Sequence, residues 1–272
     1  MGSTAVRAVR GAARPALAGW ALPWLGVLSV LALFEFLTQT ELISSRYFPP
    51  PTTIFAALAE EVRTASFWAA VGHTLEGWAL GLGVAMAIAI PAGIVIGSSR
   101  LLYRSLRAVI EFLRPIPSVA LIPLAVLVYG SGLQSKVFLA AFAATWPLLM
   151  QTLYGVQDVD PVATDTARSF GFSRGSRLLR VTLPSAVPYI ATGIRISAAV
   201  ALILVVTAEL VIGAPGLGRE INLARQGSNV ELMYALILAT GLLGLLVNQL
   251  FTWAERRVLR WHPSQRIEAV PA

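Results

Sequence analysis

Cysteine is absent from this chain, histidine occurs twice, and charged residues make up only 13% of it. Without thiols there is no disulfide, no sulfur nucleophile and no Cys-type zinc site, and two histidines leave almost nothing for a His-based one. The missing cysteines fix no compartment. Charge is at about half the level usual in soluble domains, and acids are the scarcer sign, with 14 Asp and Glu against 21 Lys and Arg. No compact Asp/His/Glu constellation supports a membrane enzyme, so no catalytic residue and no metal ligand is nominated. No Gly-x4-Gly-Lys-Ser/Thr run occurs, which excludes cradling ATP phosphates by a P-loop.

What the chain has is apolar length. It is 56% hydrophobic with a mean hydropathy of +0.72, and uncharged or nearly uncharged runs cover 15–34, 78–97, 118–130, 137–157, 187–212 and 232–254. These predict an all-α polytopic membrane protein with six transmembrane helices. The first run exceeds a secretory h-region and lacks a small-residue cleavage site, so it reads as an uncleaved span. Coarsely, 1–14 is a tail, 15–37 the first transmembrane helix, 38–67 an external Pro-rich segment and 68–256 the main transmembrane domain. Within that domain 158–184 is a polar loop, and 257–272 forms a second tail. Phe48-Pro49-Pro50-Pro51 is followed by Ile54, Ala57, Leu58 and Glu61 at helical spacing, which predicts a short interfacial helix. Gly77, Gly81, Gly93 and Gly97 make two small-xxx-small pairs suited to close helix packing.

The basic residues report orientation. Three arginines lie in the N-terminal tail, four between the second and third spans, four in the 158–184 loop and four in the C-terminal tail, fifteen in all. Five cations, Lys136 among them, fall on the other side, and Arg195 lies within the fifth span. The positive-inside rule places both termini and the polar loop in the cytoplasm of a cell-membrane protein. Topology thus accounts for the net charge of +7, and no nucleic-acid partner is expected.

That loop is the one long polar interruption. Asp160-Pro161 supplies an N-cap and a proline for the first helical position, and Gly171 a left-handed terminator, so a helix of about 10 residues fits between them. Val162, Ala163, Thr166, Ala167 and Phe170 form one apolar stripe, with Asp165 and Arg168 off it. Ser173 caps a second helical run carrying Arg174, Arg177 and Arg180, and Pro184 and Pro188 mark the start of the fifth span.

These residues resemble the EAA signature of ABC importer permeases. The signature's positions fall at Asp165, Thr166, Ala167, Gly171, Val181, Leu183 and Pro184 with every spacing intact, and Asp, Thr and Val stand for Glu, Ala and Ile. The resemblance extends over about 48–261. The Pro-rich segment, Arg114-Pro115-Ile116-Pro117, and Glu209 followed by Gly216-Leu217-Gly218 look most like the sulfonate, taurine and nitrate group. It implies the type I importer permease fold, with the loop as a cytoplasmic coupling helix. Asp165, Thr166, Ala167, Arg168, Phe170, Gly171, Leu183 and Pro184 would then meet a partner ATPase.

The partners implied are two ABC ATPase subunits, an extracytoplasmic solute-binding protein and membrane lipid. A single docking loop per chain adds a second copy of the chain, with the path on the two-fold axis. ATP and magnesium belong on the ATPase, and no cofactor on this chain. Importers of aromatic acids or vitamin precursors resemble this group too.

Residues nominated for the translocation path are Arg195, Glu209 and Pro123. Arg195 and Glu209 lie about 21 Å apart along one helix yet near one face. Pro123 is expected to kink the third span beside a cavity, and Trp146-Pro147 to bend the fourth. Glu35 reads as interfacial, His73 and Glu76 as polar interface rather than a relay, and the Gly213–Gly218 stretch as a flexible external turn. A proton-coupled secondary transporter is the main rival. It needs an intramembrane carboxylate relay and usually an internal repeat, whereas Glu35, Glu76 and Glu209 are scattered near span ends and no repeat is apparent.

Overall fold

The computed structural model describes residues 16–259, so most of both expected tails lies outside it. The chain divides into two compact units, the first ending at Ala56.

In the first unit, α1 (Ala16–Gln39) is followed by the start of α2 (Pro51–Glu61), the helix expected after the proline run. Glu35 does not simply reach for headgroups. Its carboxylate accepts hydrogen bonds from the backbone N–H of Thr52 at 3.0 Å and the Thr52 hydroxyl at 2.7 Å. A carboxylate is favourable there because the first turn of α2 has N–H groups without intrahelical partners.

The second unit is built on α3 (Ala65–Gly97), α6 (Leu133–Gln157), α9 (Leu183–Ile212) and α11 (Val230–Val258). Thr64 caps α3 by accepting from the Phe67 N–H. This helix starts well before the apolar run at 78–97, and at 33 residues it is about 50 Å long, more than the roughly 30 Å hydrocarbon core requires. His73 and Glu76 sit half exposed on its early turns, 3.7 Å apart.

The four spaced glycines all face α6. A Cβ on Gly77 would stand 2.7 Å from the Lys136 side chain, on Gly81 2.6 Å from Ala140, on Gly93 2.6 Å from Thr152 and on Gly97 2.9 Å from Val156. The numbering offset is the same at all four, so α3 and α6 run parallel along their whole contact. Helix α9 packs antiparallel on an adjacent face of α6 and also touches α3, with Gly155 against Ala186 and Tyr189, and Gly193 against Leu148 and Gln151. With no hydrophobic drive between helices in lipid, such close backbone approach is the main source of association. Gly81→Leu is therefore expected to cost about 1–3 kcal/mol through overpacking. Gly83→Leu, where a Cβ meets nothing within 4 Å, should be neutral in thermal unfolding of the solubilised protein.

The third span has the bent entry that Pro115 and Pro117 imply, but it is not one helix. Instead of one helix over 118–130, α4 (Arg100–Leu113) meets a 3₁₀ turn (Ser118–Leu121) and α5 (Ile122–Tyr129) at an 80° bend. Pro115 and Pro117 cause the break, since neither can donate to a continuing helix. Pro123 then falls in the first turn of α5, where its missing N–H has no intrahelical acceptor to lose, and it is exposed. It kinks nothing, and the cavity inferred from it loses its basis. Five described helices are long and apolar enough to cross a membrane, and six if the bent pair is one span.

The fifth span also starts earlier than 187. Helix α8 (Arg174–Arg177) runs through a π turn (Leu178–Thr182) directly into α9. The Leu183 N–H bonds to the Leu178 carbonyl five residues back. This widening relieves the clash that the Pro184 ring would otherwise make with the Arg180 carbonyl. Pro184 and Pro188 are thus absorbed into one long helix rather than marking its boundary.

Candidate functional site

Helix α7 (Pro161–Ser169) is the expected loop helix. Asp160 Oδ1 accepts from the Val162 N–H at 2.8 Å, which satisfies one of the orphan donors, and Pro161 occupies a position that needs none. At the other end Gly171 adopts φ +75°. Its N–H bonds to the Arg168 carbonyl and that of Phe172 to the Ala167 carbonyl, a complete Schellman closure. Ala167 alone is buried against the chain, while Val162 and Phe170 are 71% and 78% exposed. The apolar stripe is therefore offered outward, which is costly in water unless something covers it.

Asp165 and Arg168 lie 3.9 Å apart, both exposed. Helix α7 packs on α8 and the π turn, where Arg180 stacks over the Phe172 ring at 5.7 Å. Leu183 and Pro184 begin α9. The eight nominated residues thus occupy one helix, its cap and the root of the following span.

At the opposite end of the same helices lies a polar cluster that sequence reasoning split apart. Lys136, in the first turn of α6, is 2% exposed and Glu209 of α9 is fully buried. Lys136 Nζ donates to Glu209 Oε1 at 3.0 Å, to the His73 carbonyl at 2.7 Å and to the Pro215 carbonyl at 2.9 Å. Glu209 Oε2 accepts from the Thr74 hydroxyl at 2.9 Å and from the Gly218 N–H at 3.1 Å. The Thr74 hydroxyl in turn accepts from the Leu217 N–H at 2.9 Å.

All three ammonium protons and both carboxylate oxygens are used, the condition under which a buried ion pair is tolerable. The carboxylate also sits at the N-terminus of α10 (Leu217–Gln226). The glycine turn before α10 is not slack. Gly216 has φ +149°, and a Cβ there would fall 2.0 Å from Glu209 Oε1, while one on Gly218 would fall 2.3 Å from the Val206 carbonyl. The turn is glycine because the glutamate and the α9 backbone fill the space.

Glu209 is therefore a structural tie among α3, α6, α9 and α10 rather than a free wall of a path. Lys136, expected in an external loop, is its partner. One signal was available: Lys136 is the only lysine in the chain, and a compact ammonium with three separate donors suits three separate acceptors better than a guanidinium fork.

Arg195 is not free either. Its Nε lies 3.3 Å from Glu255 Oε2 of α11, and Glu255 Oε1 accepts from the Thr192 hydroxyl at 3.0 Å. Glu255, 12% exposed against 37% for Arg195, was not singled out in the sequence. Of the three path nominees, Glu209 and Arg195 are each engaged in an ion pair, with Lys136 and Glu255, and Pro123 starts α5 beside Ile122 and Ala125, which pack in one core cluster with Ala208.

Parallel and antiparallel membrane helices, glycine-packed and sealed at one end, carry at the other a capped helix with an unpartnered apolar face. They define a polytopic membrane protein. Residues 89–260 match the family described as "Binding-protein-dependent transport system inner membrane component", and the chain belongs to that family.

Among curated relatives, it is 32% identical to the taurine transport system permease protein TauC of Escherichia coli over 88% of this chain and 89% of TauC. It is 29% identical to the bicarbonate transport system permease protein CmpB of Synechococcus elongatus over 91% of this chain and 92% of CmpB. A solved inward-facing MetNI methionine ABC transporter shares the fold, with a TM-score of 0.60 at 22% identity over 70% of this chain and 93% of that one. The fold is that of type I ABC importer permeases. Such permeases are transport subunits and not enzymes. ATP is hydrolysed by separate subunits, and a binding protein works with them.

Proposed function

We propose that this chain forms the translocation path of an importer for a small anion, such as a sulfonate, taurine, nitrate or bicarbonate. Two copies face each other across the path, with both termini in the cytoplasm and an ATPase docked on each α7. The observation that carries the reading is the outward apolar face of α7 between a proline N-terminus and a glycine C-terminus, at the arginine-rich end. The anion class is supported by what the relatives' names say they carry, taurine for one and bicarbonate for the other.

ATP and magnesium sit on the ATPase. When it closes on ATP, the two α7 helices are drawn together and the packed α3–α6–α9 layer moves as a body, exchanging inward and outward openings. A rigid layer suits this because its helices meet at backbone contact and have little freedom to shear. Burial of Glu209 against Lys136 further weakens the proton-coupled alternative, because a relay carboxylate needs a water-accessible face.

The test is uptake into proteoliposomes holding this chain, its ATPase and its binding protein, with labelled taurine, an alkanesulfonate, nitrate and bicarbonate in turn. One of these anions should accumulate only with ATP inside and binding protein outside. Accumulation driven by a pH gradient without ATP contradicts the reading.

A further inference from the structure

Beside α7, on the same end of the bundle, lies an open cavity of about 1100 Å³ walled by the C-terminal ends of α3 and α6, the polar face of α4 and the α8 turn. Among the described residues six arginines line it, Arg100, Arg104, Arg107, Arg168, Arg174 and Arg177, and no acidic side chain does. Only two of them have carboxylate partners among the described residues, Arg107 with Glu111 at 2.7 Å and Arg168 with Asp165 at 3.9 Å. Arg177 Nε is buried with no acceptor among the described residues. Four guanidinium groups converging without counter-charge repel one another, and a buried N–H without a partner costs free energy. An entering oxyanion accepts from that N–H and offsets part of the repulsion.

Helix α4 adds a second observation. Arg100, Arg104 and Arg107 fall on one face of it, while Leu101, Val109 and Phe112 on the other are 75%, 50% and 74% exposed. That is the arrangement of a helix lying in a membrane interface, with its apolar face among acyl chains and its cations at headgroup depth. We propose that this cavity binds a phosphate-type oxyanion, presented either by the headgroup of an anionic phospholipid or by an anion free in solution. Arg104 of α4 and Arg177 of α8 provide its principal forks.

The experiment uses the complete transporter with its ATPase, extracted from membranes containing phosphatidylglycerol and phosphatidylethanolamine, with retained lipid read by native mass spectrometry. Wild type should hold phosphatidylglycerol over phosphatidylethanolamine by about tenfold, given the energy each cation contributes near a charged surface. The Arg104→Gln/Arg177→Gln variant should fall to parity, and Arg104→Lys/Arg177→Lys should keep most of the preference. In a second arm, inorganic phosphate is added to the delipidated complex. A rise in melting temperature in wild type but not in the Gln variant, without lipid selectivity, assigns the site to a free oxyanion and upholds the proposal. Absence of both effects overturns it. So does loss of the ATPase from the Gln variant with neither ligand bound in wild type, which would make the cavity a socket for an acidic protein surface.

Discussion

Lys136→Met should destabilise the solubilised protein by about 3–5 kcal/mol, the usual cost of leaving one member of a buried pair unpaired. The reason is the completeness of the cluster. Glu209 has 0% exposure, and its remaining donors are the Thr74 hydroxyl and the Gly218 N–H. With the ammonium gone, a full negative charge stays buried between α3, α6 and α9, and the carbonyls of His73 and Pro215 lose their donor. Stability should return in part in Lys136→Met/Glu209→Gln, because an amide keeps the shape and removes the charge. The coupling between the two changes, read from a double-mutant cycle of thermal unfolding, should be of the order of 2 kcal/mol or more. Independent, additive losses would contradict the tie. Gly216→Ala should behave like the single variants, since its methyl would collide with the same carboxylate.

Phe170→Asp has the opposite signature: a large loss of transport with no loss of stability. Phe170 is 78% exposed, so its removal takes nothing from the core, and surface changes of this kind stay within about 0.5 kcal/mol. If α7 docks in a groove of the ATPase, however, an aspartate there puts an unpaired charge at the centre of a small apolar interface. Truncation of such anchors commonly costs 2 kcal/mol or more, about thirtyfold in affinity. Uptake and substrate-stimulated ATP hydrolysis should fall by at least that factor while the melting temperature is unchanged. Val162→Asp should repeat the result. Normal stimulation in both variants would remove α7 from the coupling path.

These two clusters also mark where the sequence was and was not legible. Helix α7 could be read in full because its determinants are local: Asp160 and Pro161 at one end, Gly171 at the other, and a stripe between. The glycines of α3 announced a close contact but not with what, since their partners on α6 are some sixty residues away. The Lys136–Glu209 pair joins residues 73 apart, and Arg195–Glu255 likewise depends on two helices packing antiparallel. Only tertiary register reveals either. Taken singly, an ionisable residue in a span suggests a path, and the structure shows instead that each was already neutralised.

Pro123 was misread for a related reason. A proline kinks a helix only if four residues precede it in that helix, and the 80° bend after Leu113 put it in the first turn. The long helix from Arg174 to Ile212 was missed because two prolines normally end a helix. The π turn before Pro184 is what lets it continue.

On the proposed function, α7 lies under a separate ATPase on the cytoplasmic side. Because the chain has no cysteine, Val162→Cys introduces its only thiol, and labelling by a membrane-impermeant maleimide reports that one position. The thiol should label rapidly in inside-out vesicles stripped of the ATPase, become protected when the ATPase is restored, and stay unlabelled in intact cells. Labelling from outside intact cells, or equal labelling with and without the ATPase, would contradict the claim.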